Sequence, residues 1–249
     1  MNLDDSELTE QGLGPRGKGR ILLLACGALA HEIVALKAVN GWDHLDLQCL
    51  PAIFHNSPEK ITPGIEAAVA AHRKDYDEIF VVYADCGTGG LLEAACKRLG
   101  VEMLEGPHCY SFYEGNAAFA ARDEITAFYL TDFLVRQFDA FVWKPLGLDR
   151  HPELRSAYFG NYTKLVYQAQ IDDPALTEKA KACAARLGLA AGDLAPVFAE
   201  RLADVASLPP ESGVVRWMAA VGLGRFKAES QLETLRVFAK RDTMFAESG

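Results

Sequence analysis

Two stretches of this chain repeat one pattern. After Arg20, the run Ile21-Leu22-Leu23-Leu24-Ala25 is unbroken and apolar, ends in Cys26-Gly27, and opens a segment of helical spacing from Ala28 to Val39. From Asp77 to Ala84 a second run ends in Asp85-Cys86-Gly87-Thr88-Gly89-Gly90, and Leu91-Leu92-Glu93-Ala94-Ala95 opens a helix that stops near Gly100. A short continuous apolar run that feeds a helix through glycines is how a buried parallel strand reads. In a parallel sheet such runs end on one edge, the carboxyl edge, where open α/β sheets bind ligands. Both cysteines belong on that edge.

Two more strands are expected to end there. Leu45 to Phe54, interrupted by Pro51, leads into His55-Asn56-Ser57-Pro58, and a helix from Pro58 to about Lys74 follows. Val101-Glu102-Met103-Leu104 leads into Glu105-Gly106-Pro107-His108-Cys109-Tyr110. Four successive strands therefore finish in Cys26, His55, Cys86 and His108-Cys109. The expected fold is α/β, Rossmann-like and three-layered, with a mainly parallel sheet of at least four strands and a C-terminal helical appendage.

The rest of the chain is assigned by spacing. Residues 1–19 have no periodicity and read as a disordered arm. The α/β domain spans 20–188. Asn116 to Trp143 reads as a long amphipathic helix, with Phe138 as a candidate break, Glu153 to Gln170 as an aromatic-rich helix, and Asp173-Pro174 as the start of another that Gly188 closes. Residues 189–249 read as helices separated by Leu208-Pro209-Pro210, a candidate surface for homo-oligomerisation.

Composition excludes some roles. A net charge of −9 on 249 residues argues against nucleic-acid phosphates and anionic membranes as partners. No apolar run approaches the roughly 20 residues that span a bilayer, and residues 1–19 lack the apolar centre of a signal peptide. The expected setting is the reducing cytoplasm, with the six cysteines free or metal-bound rather than bridged.

Thiolates bind zinc and iron–sulfur clusters, and three protein ligands leave a position open for substrate. Cys26, Cys86 and Cys109 are the expected metal ligands, for zinc or alternatively a 4Fe-4S cluster; the plainer reading is three small apolar side chains packed at a sheet edge. A single reactive thiol, Cys86, is the third reading. His108, His55 and Asp85 are the candidates for moving a proton, against structural roles such as helix capping. Gly87, Thr88, Gly89 and Gly90 could cradle an anion with backbone N–H groups, or simply make a tight turn. Tyr110, Asn161 and Lys164 are the expected polar lining.

The segments Cys26-Gly27-Ala28, His55-Asn56-Ser57-Pro58, Tyr83-Ala84-Asp85-Cys86-Gly87-Thr88-Gly89-Gly90, Gly106-Pro107-His108-Cys109-Tyr110, Tyr129-Leu130-Thr131-Asp132-Phe133-Leu134 and Tyr158-Phe159-Gly160-Asn161-Tyr162 together resemble the domain of unknown function 1638 family, over about residues 20–188. That family is often encoded beside corrinoid proteins and their methyltransferases. The resemblance implies one-carbon metabolism, with corrinoid or tetrahydrofolate reached through a substrate or partner. A metal-dependent, methyltransferase-type enzyme acting on a small molecule is the expected function. The alternatives are an iron–sulfur lyase or dehydratase, and a non-catalytic module that binds a corrinoid protein or a methyl donor.

Overall fold

A computed structural model describes residues 3–192, apart from 18, 41 and 172. In chain order the elements are α1 (Asp5–Glu10), β1 (Ile21–Cys26), α2 (Ala30–Asn40), β2 (Leu45–Leu50), α3 (Ile61–His72), β3 (Glu78–Val82), α4 (Leu91–Leu99), β4 (Glu102–Met103), α5 (Asn116–Ala121), β5 (Ala127–Thr131), α6 (Asp132–Arg136), α7 (Arg155–Phe159), β6 (Lys164–Gln168), α8 (Pro174–Leu187) and β7 (Ala190–Ala191). β1 pairs in parallel with β2 on one side and β3 on the other, and β4 extends the sheet beyond β3, in the order β2-β1-β3-β4. The central strand has no solvent face, so Leu22, Leu24 and Ala25 are fully buried. Each of those leucines contributes about 2 kcal/mol by leaving water. The parallel α/β expectation holds.

A second parallel sheet was not legible in the spacing. β5, β6 and β7 form it, with Ala127 opposite Lys164 and Thr131 opposite Gln168. The long helix expected over 116–143 is therefore three short helical pieces and a strand. Asp123, at φ 48, breaks it, and Ala127-Phe128-Tyr129-Leu130-Thr131 goes to the sheet. Arg122 braces the break through Glu124 at 3.0 Å and Glu114 at 3.2 Å. The helix expected over 153–170 likewise survives only in a short turn and α7. Lys164-Leu165-Val166-Tyr167-Gln168 is β6, buried from Leu165 onward. Aromatic and β-branched residues suit a strand that has a partner, and the partner lies 37 residues away in the paired register.

The expected disordered arm is corrected as well, for the described residues 3–17. The Asp4 carboxylate accepts from the N–H groups of Ser6 and Glu7, both at 2.9 Å, and caps α1. Leu8 is buried, Asp5 pairs with His31 at 2.6 Å and with Arg136, and Leu13 makes an antiparallel bridge to Cys49. Burial alone would raise the Asp5 pKa. The His31 and Arg136 hydrogen bonds outweigh it and leave that carboxyl below its usual value. α1 lies directly over the turn that follows β1. A Cβ on Gly27 would stand 2.6 Å from the Leu8 carbonyl oxygen. Gly27→Ala must therefore push α1 away, and a loss of about 2 kcal/mol in urea unfolding is expected; an unchanged midpoint would show that α1 is not seated there.

Of the helical appendage expected over 189–249, Ala190–Ala191 form β7 instead, and residues from 193 onward lie outside the described ones. No described helix is long and apolar enough to cross a membrane.

Candidate functional site

The carboxyl ends of β1, β3 and β5 surround one cavity of about 230 Å³. Cys26 closes β1, Tyr83 and Cys86 follow β3, His108 and Cys109 follow β4, and Thr131 closes β5. Leu29, Pro58, Ile61, Leu134 and Phe141 supply apolar wall. Asp, Glu, Lys and Arg are absent from the lining. The Asn56 amide donates to the Phe141 carbonyl at 3.0 Å and holds the two halves of the wall together.

Cys86 and Cys109 meet, with sulfurs 3.0 Å apart. They arrive from different turns, which the backbone ties together: Asp85 N–H donates to the Gly106 carbonyl at 2.9 Å and Cys86 N–H to the Pro107 carbonyl at 3.0 Å. These two bonds continue the β3–β4 pairing past the end of the strands. Cys86 sits at φ 47, a left-handed conformation that costs a non-glycine residue about 1–2 kcal/mol. The surrounding bonds hold it there.

The two thiols differ in acidity. The two sulfurs share a hydrogen bond, and that bond, acting against burial, lowers the Cys86 pKa. The same bond together with burial pushes Cys109 well above an ordinary thiol. Cys86 is therefore the more acidic thiol of the pair and Cys109 the less acidic one. Cys26 is buried, and desolvation with the nearby Cys86 charge pushes it up to about 12. The Tyr83 hydroxyl lies among the Cys26, Cys86 and Cys109 sulfurs; it is buried and has no well-formed hydrogen bond among the described residues. Burial and those sulfurs raise its pKa well above 10, so it stays a donor.

Both candidate histidines reach the cavity. His108 stacks on Tyr110, ring centroids 4.9 Å apart and planes 11° apart, and Tyr110 stacks in turn on Tyr129 at 5.5 Å. Desolvation lowers the His108 pKa despite the Asp85 charge. His55 keeps an exposed edge while its ring is crowded by neighbours, including Phe141 at 6.1 Å, and desolvation together with His108 lowers its pKa too. Both imidazoles are thus biased toward the neutral form, able to accept a proton.

Asp85 and the glycine loop differ from expectation. The Asp85 carboxylate accepts from Gly90 N–H at 2.6 Å, Thr88 Oγ1 at 2.9 Å, and Gly87 and Gly89 N–H at 3.2 Å. Burial would raise its pKa, but these four donors win and lower it. The cradle holds an anion, as its composition suggested, and that anion is the chain's own carboxylate. Gly87 lines the cavity, whereas Asp85, Thr88, Gly89 and Gly90 do not. Four donors satisfying one carboxylate suit a loop clamp rather than a general base.

Tyr110 lines the cavity as expected, and Asn161 and Lys164 do not. Asn161 is exposed in the turn before β6. Lys164 stands at the amino end of β6, bonded to Glu124 at 2.7 Å, four rungs or about 13 Å from the level of Thr131. They were expected on a helix, and the strand sends them to the opposite end. Reading the sequence missed Tyr83, Thr131, Leu134 and Phe141. Tyr83 alone had a local signal, as the last aromatic of a strand that ends at the site.

The chemistry of the donor set suits a soft metal: one acidified thiol, two more thiols and two neutral imidazoles. The placement is less accommodating. Among the described residues no group of three or more His, Cys, Asp or Glu side chains is arranged to hold a metal ion. Two sulfurs stand together, and a third ligand would have to move to them.

A family model described as a protein of unknown function, DUF1638, matches residues 49–195. The match begins after Cys26 and includes Cys86, Cys109 and both histidines of the site. No curated protein and no solved structure matches the chain.

Proposed function

Because this chain belongs to the DUF1638 family, whose description assigns no reaction, the site itself must carry the reading, and we propose a thiol-dependent group-transfer enzyme with Cys86 as its nucleophile. The observation behind it is the Cys86 sulfur, hydrogen-bonded by Cys109 at 3.0 Å on the wall of an uncharged cavity. The substrate is a small molecule, apolar where it is enclosed, and the one-carbon setting implied by the resemblance makes a one-carbon unit the expected group. The Cys86 sulfur forms a bond to the transferred carbon as the donor's bond to that carbon breaks, and the donor leaves with the electron pair. Neutral His108 or His55 takes up a proton released at the site.

Site-resolved alkylation with iodoacetamide tests this reading. The thiolate is the species that reacts, so the rate rises with pH and levels off above the folded pKa. A lowered pKa moves that rise below the roughly 8.5 of an ordinary thiol. Cys86 should label first and on the acid side of a free cysteine, with Cys26 far behind. Cys86 labelling no earlier than Cys26 would end the proposal.

A metal-bound form of the same cavity is the second reading, favoured by three thiols and two neutral imidazoles on one wall. Anaerobically purified protein should then hold zinc, or iron with sulfide. Cys86→Ser and Cys109→Ser should strip it, and Cys183→Ser, buried against α8's own side of the core, should not. Metal-free protein in every preparation would retire the zinc and cluster versions together. A docking role for a corrinoid protein remains the reading for a protein with neither metal nor reactive thiol.

A further inference from the structure

The geometry points to a second activity at the same cavity: Cys86 and Cys109 act as a dithiol that reduces small uncharged disulfides and closes to an internal Cys86–Cys109 disulfide. It rests on the proposed reactivity of Cys86 and goes beyond it by giving Cys109 a covalent role. Three observations carry it. The sulfurs stand 3.0 Å apart as free thiols, so closure to the roughly 2.05 Å of a disulfide needs about 1 Å of approach. The turns that bear them are joined by two backbone hydrogen bonds, so the pair is held ready in the reduced protein. Cys86 and Cys109 are the half-buried cysteines of the cavity wall, whereas Cys26, which also lines it, is buried, as are Cys49, Cys96 and Cys183.

The cavity defines the substrate class. Its lining has no Asp, Glu, Lys or Arg to pair with a substrate charge and its volume is about 230 Å³, which suits a compact neutral disulfide and disfavours one that carries carboxylates. Tyr83 adds a buried hydroxyl donor placed among the sulfurs, where a thiolate leaves.

The steps balance. The Cys86 thiolate attacks one sulfur of the substrate disulfide; a bond forms between them, the substrate S–S bond breaks, and one substrate thiolate leaves with the electron pair. Cys109 then gives up its proton and attacks the Cys86 sulfur, and the second substrate thiolate departs. The two substrate thiolates take up the two protons that the protein dithiol loses. Two electrons have passed from protein to substrate, and an external dithiol returns the pair to the reduced state.

The test uses the full chain, reduced and freed of reductant, with bis(2-hydroxyethyl) disulfide and oxidised glutathione as probes. Intact mass should show the loss of two hydrogens, and peptide mapping should link Cys86 to Cys109. Scaled to each probe's rate with a free thiol, the neutral disulfide should react about 10-fold faster or more. Cys109→Ser should stop at one probe thiol attached to Cys86; the wild-type map needs no variant and decides even if that protein misfolds. A map without the Cys86–Cys109 link overturns the inference, and equal scaled rates overturn its substrate class. Early alkylation of Cys86 with no link would sink this inference while leaving the nucleophile proposal in place.

Discussion

Asp132→Ala should destabilise the protein by about 4 kcal/mol, read as a lower urea midpoint. Asp132 opens α6 directly after β5 and is fully buried. Its Oδ1 accepts from the Tyr167 hydroxyl at 2.7 Å and from Gln170 N–H at 3.0 Å, its Oδ2 accepts from Ile171 N–H at 3.1 Å, and its own N–H donates to the Gln170 side chain at 2.8 Å. One carboxyl thus joins the end of β5 to the chain that leaves β6. Alanine would strand two N–H groups and a hydroxyl where water does not reach, each worth about 1–3 kcal/mol. Asp132→Asn keeps an acceptor oxygen and should lose about half as much. Because Thr131, Leu134 and Phe141 form the far wall of the cavity, the alanine variant should also loosen that wall and slow any reaction that depends on enclosure. A loss below about 1 kcal/mol would show that the second sheet does not depend on this carboxyl.

Asp85→Ala should cost about 2–3 kcal/mol and disturb Cys86 as well. Four donors converge on this carboxylate, and although the loop is partly solvated, no other described side chain takes their place. Without it the left-handed run through Cys86, Gly87, Gly89 and Gly90 has no anchor, and Cys86 should leave its contact with Cys109. Asp85→Asn should recover part of the stability, because one oxygen still accepts. A general base would behave differently, losing activity in both variants with no change in unfolding. The acid dependence has a definite sign. The folded pKa lies below the ordinary 3.8, so the stabilisation is complete above that unfolded value and fades as pH falls through the folded one. Wild type should lose stability over that window and Asp85→Ala should lose less.

Part of the site was legible because it follows from local pattern. Strand ends on the same edge of a parallel sheet need no long-range information, and Cys26, Cys86, His108 and Cys109 were placed by that rule alone. His55 reached the rim for the same reason. Asn161 and Lys164 were misplaced because 153–170 was read as helix. Its aromatic residues fit a 3.6-residue period about as well as a pleated one, and the pairing of Leu165 with Phe128 and Gln168 with Thr131 decided the matter. α1 escaped notice for want of length: one buried leucine and an aspartate cap make no periodic signal.

By itself, the sequence determined the parallel sheet and the edge on which its thiols gather, because an unbroken apolar run followed by a glycine turn has few other ways to satisfy its backbone and bury its side chains. Only the tertiary structure decided that Cys86 and Cys109 touch, that Asp85 fills the glycine cradle, and that β5 and β6 leave their helical spacing for each other. Those outcomes depend on contacts between residues distant in the chain, whose energies exceed the few tenths of a kcal/mol per residue by which local propensity prefers one conformation over another.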